Sequence, residues 1–126
     1  MRKVILGAIL LIGSTGSVAA QDVTASEAAF RKCQVCHDVG EDARNKLGPT
    51  LNGLDGRKSG TVEGYDYSDA NKNSGLIWNE TTFKEYVADP AGKMPGTKMM
   101  FSDKNEKEVA DLWMYLSQFA PNGKKK

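Results

Sequence analysis

The residues with the clearest chemical potential stand together in one short run, Cys33-Gln34-Val35-Cys36-His37. Cys-x-x-Cys-His is the pattern of covalent haem attachment. Two cysteines at this spacing face the same side of a helical turn, where their thiols can add to the two vinyl groups of one porphyrin. The next residue, His37, is then placed to offer an imidazole nitrogen to the iron. The motif therefore predicts one haem c, attached through Cys33 and Cys36, with His37 as an iron ligand.

Three other uses of a Cys-x-x-Cys pair have to be compared with haem attachment. A thioredoxin-like dithiol needs a βαβ context, and the sequence shows no such pattern. A structural zinc site needs four ligands, usually Cys or His, whereas the chain has two cysteines and one histidine, all within the motif. A plain disulfide would leave His37 unexplained. The composition of the chain therefore favours haem attachment.

Residues 1–20 have the pattern of a secretory signal peptide. A basic start, Met1-Arg2-Lys3, precedes an apolar run at residues 4–12 and a small, polar stretch that ends Val18-Ala19-Ala20. The apolar run is shorter than the ~20 residues that a membrane span requires. We therefore predict cleavage before Gln21, a periplasmic location without stable membrane insertion, and one mature domain over residues 21–126.

The charge balance excludes some partners. Removing Arg2 and Lys3 with the leader leaves 15 basic and 16 acidic side chains, a formal net charge of −1. Nucleic-acid binders carry a basic surplus or a basic stripe, so no nucleic-acid partner is expected. A mature domain of this size buries a modest share of its surface, and a large apolar macrocycle would enlarge its core. We expect a monomer.

The apolar periodicity predicts an all-α fold of about four helices and long loops. A capping box at Thr24 and Glu27 predicts a first helix over residues 24–36. Residues 38–64 and 91–102 are rich in turn formers and are predicted as loops. A short helix over 68–74 and a helix over 80–89, capped by Asn79 and ended by Pro90, are predicted between them.

The last helix has the clearest pattern. Asp103 and Glu106 form a second capping box, and the helix is predicted to end near Ala120 and Pro121. Its apolar residues recur at helical spacing: Val109, Leu112, Trp113, Leu116 and Phe119. We expect the first and last helices to pack across each other beside the haem.

The second axial ligand of the iron is not fixed by these patterns. The sequence has no second histidine, and Met114 is placed in the last helix. Met94, Met99 and Met100 lie in a loop flanked by proline and glycine, and a loop can deliver a thioether sulfur to the iron. On the residues alone, any of these three methionines could be the ligand.

Taken in order, the motifs resemble those of the class I c-type cytochromes, close to mitochondrial cytochrome c and the bacterial cytochromes c2. The resemblance covers nearly all of the predicted mature chain. The first landmarks are Cys33-Gln34-Val35-Cys36-His37, Gly48-Pro49-Thr50-Leu51-Asn52-Gly53-Leu54 and Gly56-Arg57-Lys58-Ser59-Gly60. The others are Tyr65-Asp66-Tyr67-Ser68-Asp69-Ala70-Asn71-Lys72-Asn73, Trp78, Pro95-Gly96-Thr97-Lys98-Met99 and Leu112-Trp113-Met114-Tyr115-Leu116.

The resemblance implies a cytochrome c fold and a role for each matching residue. It implies that Met99 is the second axial ligand, with Met94 and Met100 as apolar neighbours in the loop. It implies that the Pro49 carbonyl accepts the second N–H of His37, and that Tyr86 hydrogen-bonds the methionine sulfur. Phe101 matches the aromatic residue that shields the exposed haem edge. The residues implied to bind a buried propionate or a nearby water are Arg57, Tyr67, Asn71, Trp78 and Thr97.

Two stretches depart from the family pattern. Where the family usually has a glycine in the first helix, the sequence reads Ser26-Glu27-Ala28-Ala29, which predicts a slightly wider crossing with the last helix. After Pro90, Ala91-Gly92 stand where mitochondrial members carry lysines. The lysines that match the family's basic ring, or lie near it, are Lys32, Lys46, Lys93 and Lys98.

The implied function is one-electron transfer by a His/Met-ligated haem c, and not enzymatic catalysis. The resemblance implies shuttling from a membrane cytochrome bc1-type complex to a cytochrome oxidase or a photosynthetic reaction centre. Three alternatives differ from this one. A haem peroxidase or ligand-binding sensor needs an open iron site, a thiol oxidoreductase needs free thiols, and a haem domain can serve one dedicated dehydrogenase.

Overall fold

The helices agree with the predicted fold class. The computed structural model describes Gly13 and residues 18–126, with side chains from residue 23 onward. Within this part the chain forms no strand, only two isolated bridges, Lys58 with Ile77 and Phe119 with Lys125. Its helices are α1 (Val18–Phe30), α2 (Asp69–Asn73), α3 (Glu80–Ala88), α4 (Pro90–Lys93) and α5 (Glu106–Leu116). The all-α prediction is confirmed, and the one-turn α4 is added to the four predicted helices.

The bounds of α1 differ from the prediction at both ends. Because α1 begins at Val18, Thr24 lies inside it and the predicted capping box at its start is wrong. At its other end, α1 stops at Phe30 and turns follow through Cys36. In these turns Cys33 N–H donates to the third residue back, Phe30 (2.8 Å), instead of the fourth. The predicted leader lies outside the described residues, apart from Gly13 and the backbone of residues 18–20.

Capping side chains set the start of α2 and α3. Ser68 accepts from the Asn71 N–H at the start of α2. Asn79 accepts from the Thr82 N–H, and the Thr82 hydroxyl accepts from the Asn79 N–H, so α3 begins with a reciprocal capping box. The predicted Asn79 cap is therefore confirmed. α3 ends at Ala88 with Asp89 as its C-cap, so the predicted stop before Pro90 is confirmed. Pro90 also opens α4, where its missing N–H costs no hydrogen bond.

The N-cap of α5 lies two residues beyond the predicted one. Asn105 is the N-cap and accepts from the Lys107 and Glu108 N–H groups. Asp103 accepts from the Asn105 N–H at 2.8 Å, so Asp103 orders the cap and does not form it. The helix ends at Leu116, earlier than predicted; Ser117 and Gln118 continue in a turn, and Phe119 forms the bridge to Lys125.

The core forms where α1 crosses α5, as predicted. Phe30, 1% exposed, stacks on Tyr115 with ring centroids 5.0 Å apart. Ser26, in the stretch where the family has a glycine, is completely buried and donates its hydroxyl to the Val23 carbonyl at 2.8 Å. A small residue at this position lets the two helices approach. The buried residues of α5 are Val109, Leu112, Trp113 and Leu116.

The remaining core lies between α3 and α5. Phe83 packs on Trp113, and Trp78 meets Tyr86 edge to face with centroids 5.0 Å apart. This layer forms one wall of the site described next. Among the described residues, none of the helices has the length and apolar character that crossing a bilayer requires.

Candidate haem-binding site

One cavity of about 720 Å³ opens between the Cys-x-x-Cys-His turn and the loops that follow it. Its volume lies within the 300–1,000 Å³ usual for sites of small molecules and cofactors. The structure brings every residue predicted for the site to the wall of this cavity. These residues are Cys33, Cys36, His37, Pro49, Arg57, Tyr67, Asn71, Trp78, Tyr86, Thr97, Met99 and Phe101.

The turn after α1 places the two thiols and the imidazole on the same wall. The His37 N–H donates to the Cys33 carbonyl at 2.8 Å, which closes one helical turn over the motif. Burial, and to a smaller extent the neighbouring Cys36, raises the pKa of Cys33 to about 11. At neutral pH Cys33 therefore carries its proton and presents an apolar thiol to the cavity.

His37 is oriented by a backbone carbonyl. Its Nδ1 lies 2.7 Å from the Pro49 carbonyl oxygen, which can only accept, so Nδ1 carries the proton and donates. Burial lowers the pKa of His37; the hydrogen bond to Pro49 opposes this, and the charges of Arg57 and Lys46 add to it. The ring is thus neutral at pH 7, and its Nε2 keeps a lone pair for a metal.

Gly48 makes room for the imidazole. A Cβ at this position would come within 2.2 Å of the His37 Cε1 atom, which no neighbour could accommodate without moving the ring. The Gly48 N–H donates to the Cys36 carbonyl at 2.8 Å, so this loop is fixed to the cysteine turn. The family resemblance gave Pro49 a role toward His37 but gave none to Gly48, whose closeness to the ring is a contact across the fold.

Arg57 carries an unsatisfied donor. Its Nη1 donates to the carbonyls of Thr50 and Asn52, both at 3.0 Å. Its Nε is the one buried side-chain nitrogen or oxygen of the described residues that lacks a hydrogen-bond partner. Burial lowers the pKa of Arg57, although the guanidinium stays charged at any physiological pH. A carboxylate in the cavity would satisfy this cation.

The other polar residues of the predicted propionate site hold the loops as well as lining the cavity. The Tyr67 hydroxyl accepts from the Val62 N–H at 2.9 Å and keeps its own proton to donate. Burial raises the pKa of Tyr67, so that proton stays in place at neutral pH. The Asn71 amide oxygen accepts from Ser68 at 3.2 Å.

The hydrogen-bond partner of Tyr86 differs from the methionine sulfur that the family resemblance implies. Its hydroxyl lies 2.6 Å from the Thr97 hydroxyl oxygen and also interacts with Asn71, and it makes no hydrogen bond to the Met99 sulfur. Either hydroxyl can be the donor in this pair, and a hydroxyl forms a stronger hydrogen bond than a thioether, which is only a weak acceptor. The Thr97 hydroxyl also accepts from the Met99 N–H at 3.4 Å, so hydrogen bonds link Tyr86 to the backbone of Met99 through Thr97.

The structure separates the three methionines of the loop. Met94 is 4% exposed and packs in the core. Met99 is partly buried, lines the cavity and packs against the core. Met100 is 93% exposed, at the mouth of the cavity. Of the three, only Met99 combines a protected side chain with a place on the cavity wall.

The lysines of the implied basic ring are largely compensated by acidic neighbours. Lys32 pairs with Glu108 and lies 3.6 Å from Asp103. Lys98 lies 3.6 Å from the Asp66 carboxylate. Lys93 pairs with Glu85, whereas the Lys46 ammonium donates to the Gln34 carbonyl at 2.8 Å. The mouth is therefore less basic than its lysines alone suggest, and it includes the exposed apolar side chains of Leu47 and Met100.

The residues present fit a haem. Two thiols and an imidazole with a free Nε2 stand on one wall, and a thioether lines the same cavity. Most of the surface between them is apolar, and the buried Arg57 Nε is ready for a carboxylate. Phe101, 37% exposed, stands at the mouth. This donor set suits an iron porphyrin better than a bare ion, since the described residues contain no cluster of His, Cys, Asp and Glu that could hold a metal.

Comparison with known proteins agrees with this fit. The sequence profile of the family described as Cytochrome c matches residues 23–120. Cytochrome c2 of Rhodoplanes tepidamans is 64% identical over 107 residues, which cover 84% of this chain and all of that protein. Cytochrome c2 of Blastochloris viridis is 53% identical over 127 residues, covering both chains fully.

The fold is also found in a solved structure. Cytochrome c2 from Rhodospirillum centenum superimposes with a TM-score of 0.75 at 36% sequence identity, covering 79% of this chain and 99% of the other. The sequence comparison and the structural comparison therefore indicate the same family, and the matched residues include those that line the cavity.

Proposed function

The chain belongs to the cytochrome c family, and from this premise we propose that it is an electron carrier whose haem iron is held between His37 and Met99. It is a c-type cytochrome of the electron-transport kind, with haem c attached through Cys33 and Cys36. When bound, the haem supplies an iron that alternates between its ferrous and ferric states. The observation that carries the proposal is that His37 and Met99 line the same cavity.

The roles proposed for the two ligands follow from their surroundings. The His37 Nδ1–H donates a hydrogen bond to the Pro49 carbonyl. This bond fixes the ring and makes the Nε2 lone pair a stronger ligand for a metal. Met99 offers a soft sulfur that stabilises ferrous iron and raises the potential. The apolar wall adds to this effect, because low polarity disfavours the extra charge of ferric iron.

The polar wall is proposed to hold the haem carboxylates. The Arg57 Nε has no hydrogen-bond partner in the part of the chain that the structure describes, and a charged hydrogen bond to a propionate would use it. Tyr67 keeps a hydroxyl proton to donate, and Trp78 an indole N–H. Asn71 and Thr97 interact with Tyr86 and complete this side of the site. Phe101 at the mouth is proposed to shield the haem edge.

We further propose export to the periplasm with removal of residues 1–20. The basic start, the apolar run and the small residues before Gln21 support this proposal. The whole cytochrome c2 of Rhodoplanes tepidamans aligns with 107 residues of this chain, close to the about 106 residues left after cleavage of a signal of this kind.

The proposed partners are membrane redox complexes, a cytochrome bc1-type donor and a cytochrome oxidase or photosynthetic reaction centre as acceptor. The mouth offers them exposed apolar side chains, Leu47 and Met100, between lysines that carry acidic neighbours. A monomer is expected, because the mouth must stay accessible. Kinetics with isolated oxidase and reaction-centre preparations would distinguish the two acceptors.

Carbon monoxide distinguishes the carrier from a peroxidase or a ligand sensor. If His37 and Met99 both bind the iron, the reduced holoprotein should show an unchanged absorption spectrum on addition of carbon monoxide at neutral pH. A haem protein with an open iron site serves as the positive control. A shifted Soret band in this protein would contradict the proposal.

A further inference from the structure

Met100 stands out among the methionines of the described part of the chain. Its side chain is 93% exposed, compared with 36% for Met114 and 4% for Met94, and Met99 is partly buried. It lies at the cavity mouth, and electron transfer as proposed above gives its sulfur no role, since Met99 is the ligand. A thioether so open to water is the most accessible oxidisable group of the loop.

The exposure of Met100 follows from the way the loop is held. The Met99 N–H donates to the Thr97 hydroxyl, whose oxygen lies 2.6 Å from the Tyr86 hydroxyl oxygen. The Lys98 ammonium donates to the Asp66 carbonyl at 3.0 Å. These bonds turn Met99 toward the cavity and leave Met100 on the outside.

We propose that Met100 is a reversible oxidation site for peroxides, modified ahead of the other methionines. In the reaction, the Met100 sulfur attacks one oxygen of the peroxide, gives it two electrons and breaks the O–O bond. That oxygen gives up its proton and stays on sulfur as a sulfoxide, and the other oxygen takes up the proton and leaves as water or as an alcohol. The sulfoxide returns to the thioether by reduction with methionine sulfoxide reductases.

The modification changes the character of the mouth. Leu47 and Phe101 line the cavity together with Met100 and are 77% and 37% exposed, so the unmodified mouth carries an apolar surface. A sulfoxide is polar and disrupts surfaces built on methionine. Oxidation of Met100 therefore makes this surface polar without touching the Met99 sulfur.

Peptide mapping by mass spectrometry tests the proposal on the mature holoprotein treated briefly with hydrogen peroxide. Sulfoxide should form on Met100 first, about ten times more abundantly than on Met94 or Met99 at early times, and also ahead of Met114. Retention on a hydrophobic-interaction column should fall, and reductase treatment should restore it. The sulfur-to-iron charge-transfer band reports on Met99 separately and should be retained.

Two variants make the test specific. Met100→Leu should abolish the early sulfoxide and the loss of retention, whereas Met114→Leu, the matched control on α5, should leave both unchanged. First oxidation at Met94, Met99 or Met114 would overturn the proposal, and so would unchanged retention after oxidation of Met100. Absence of the charge-transfer band before peroxide is added would count against Met99 ligation and not against oxidation of Met100.

Discussion

Gly48 and His37 stand so close that the glycine cannot carry a side chain. A Cβ on Gly48 would lie 2.2 Å from Cε1 and 2.6 Å from Nδ1 of the imidazole. The same Nδ1 donates to Pro49, the next residue, at 2.7 Å. Two adjacent residues therefore determine where the ring lies and which of its nitrogens carries the proton.

Gly48→Ala should displace the His37 ring and reduce the yield of holoprotein. Overpacking of this kind typically costs about 1–3 kcal/mol, and here the displaced group is also the proposed iron ligand. The measurement is the fraction of haem-loaded protein after expression, together with the midpoint of thermal unfolding. Normal yield and normal stability of Gly48→Ala would show that the His37 ring can lie in its site with a Cβ at position 48.

Gly75→Ala is the control for that substitution. Its Cβ would meet nothing within 4 Å, but its φ of +66° is unfavourable for alanine, at a cost of about 1–2 kcal/mol. This variant should lose stability while it keeps the spectrum of the parent. Comparison of Gly48→Ala with Gly75→Ala therefore separates the effect of backbone strain from the effect of displacing His37.

Tyr86→Phe should lower stability by about 1 kcal/mol, because the Thr97 hydroxyl loses its partner. The variant should also respond less to alkaline pH. Burial raises the pKa of Tyr86 in the folded protein, so the unfolded chain ionises first, near pH 10. Wild-type stability is then full below pH 10 and falls as the pH rises toward the folded pKa.

Denaturant unfolding at pH 8 and at pH 11 measures this difference. Tyr67 and Tyr115 also have raised pKa values because of burial, so Tyr86→Phe should reduce the alkaline loss and not abolish it. An equal loss in the wild type and in the variant would contradict the role given to Tyr86.

The pair of Lys98 and Asp66 should tune association with an acidic partner. Asp66→Asn removes the carboxylate 3.6 Å from Lys98, and we expect faster electron transfer to an oxidase preparation at low ionic strength. Lys98→Gln should slow it. Both differences should disappear near physiological salt, where charges are screened over about 8 Å. Stability should hardly change, since exposed pairs contribute little.

The control for this pair is Lys84→Gln, because Lys84 pairs with Glu80 on α3 and does not line the cavity. It changes the net charge as Lys98→Gln does. If Lys84→Gln slows electron transfer as much as Lys98→Gln, the effect is one of net charge and the mouth has no special part in docking.

The sequence predicted the site better than the ends of the helices. Every residue that the Cys-x-x-Cys-His motif and the family resemblance predicted for the site lines the cavity, because the types of these residues are tied to one chemistry. Leu47, Phe83 and Val87 also line it and were not predicted. The cap of α3 was also predictable, since Asn79 and Thr82 satisfy each other locally.

The misplaced helix ends have local causes that composition does not reveal. Asp103 looked like a cap, yet it bonds the N–H of Asn105, which caps α5 instead. α1 stops at Phe30, where third-neighbour bonds such as Cys33 to Phe30 mix with fourth-neighbour bonds such as His37 to Cys33 and the chain continues in turns. The partner of Tyr86 and the closeness of Gly48 to His37 are contacts across the fold, which no spacing along the chain could give.

The most direct test concerns ligation by Met99, because three methionines stand in one loop. Met99→Ala, Met100→Leu removes the proposed ligand and also the neighbour whose sulfur could replace it. Met94→Leu, Met100→Leu is the matched control; it exchanges one buried methionine for a residue of similar volume, which usually costs less than about 1.5 kcal/mol.

The measurement is the sulfur-to-iron charge-transfer band of the ferric holoprotein, recorded for both double variants. We predict that Met99→Ala, Met100→Leu loses the band, binds carbon monoxide when reduced and has a lower potential, because the soft sulfur is gone. The Met94→Leu, Met100→Leu control should keep the band. A band that persists in Met99→Ala, Met100→Leu, with low-spin iron, would contradict the central claim that Met99 is the ligand opposite His37.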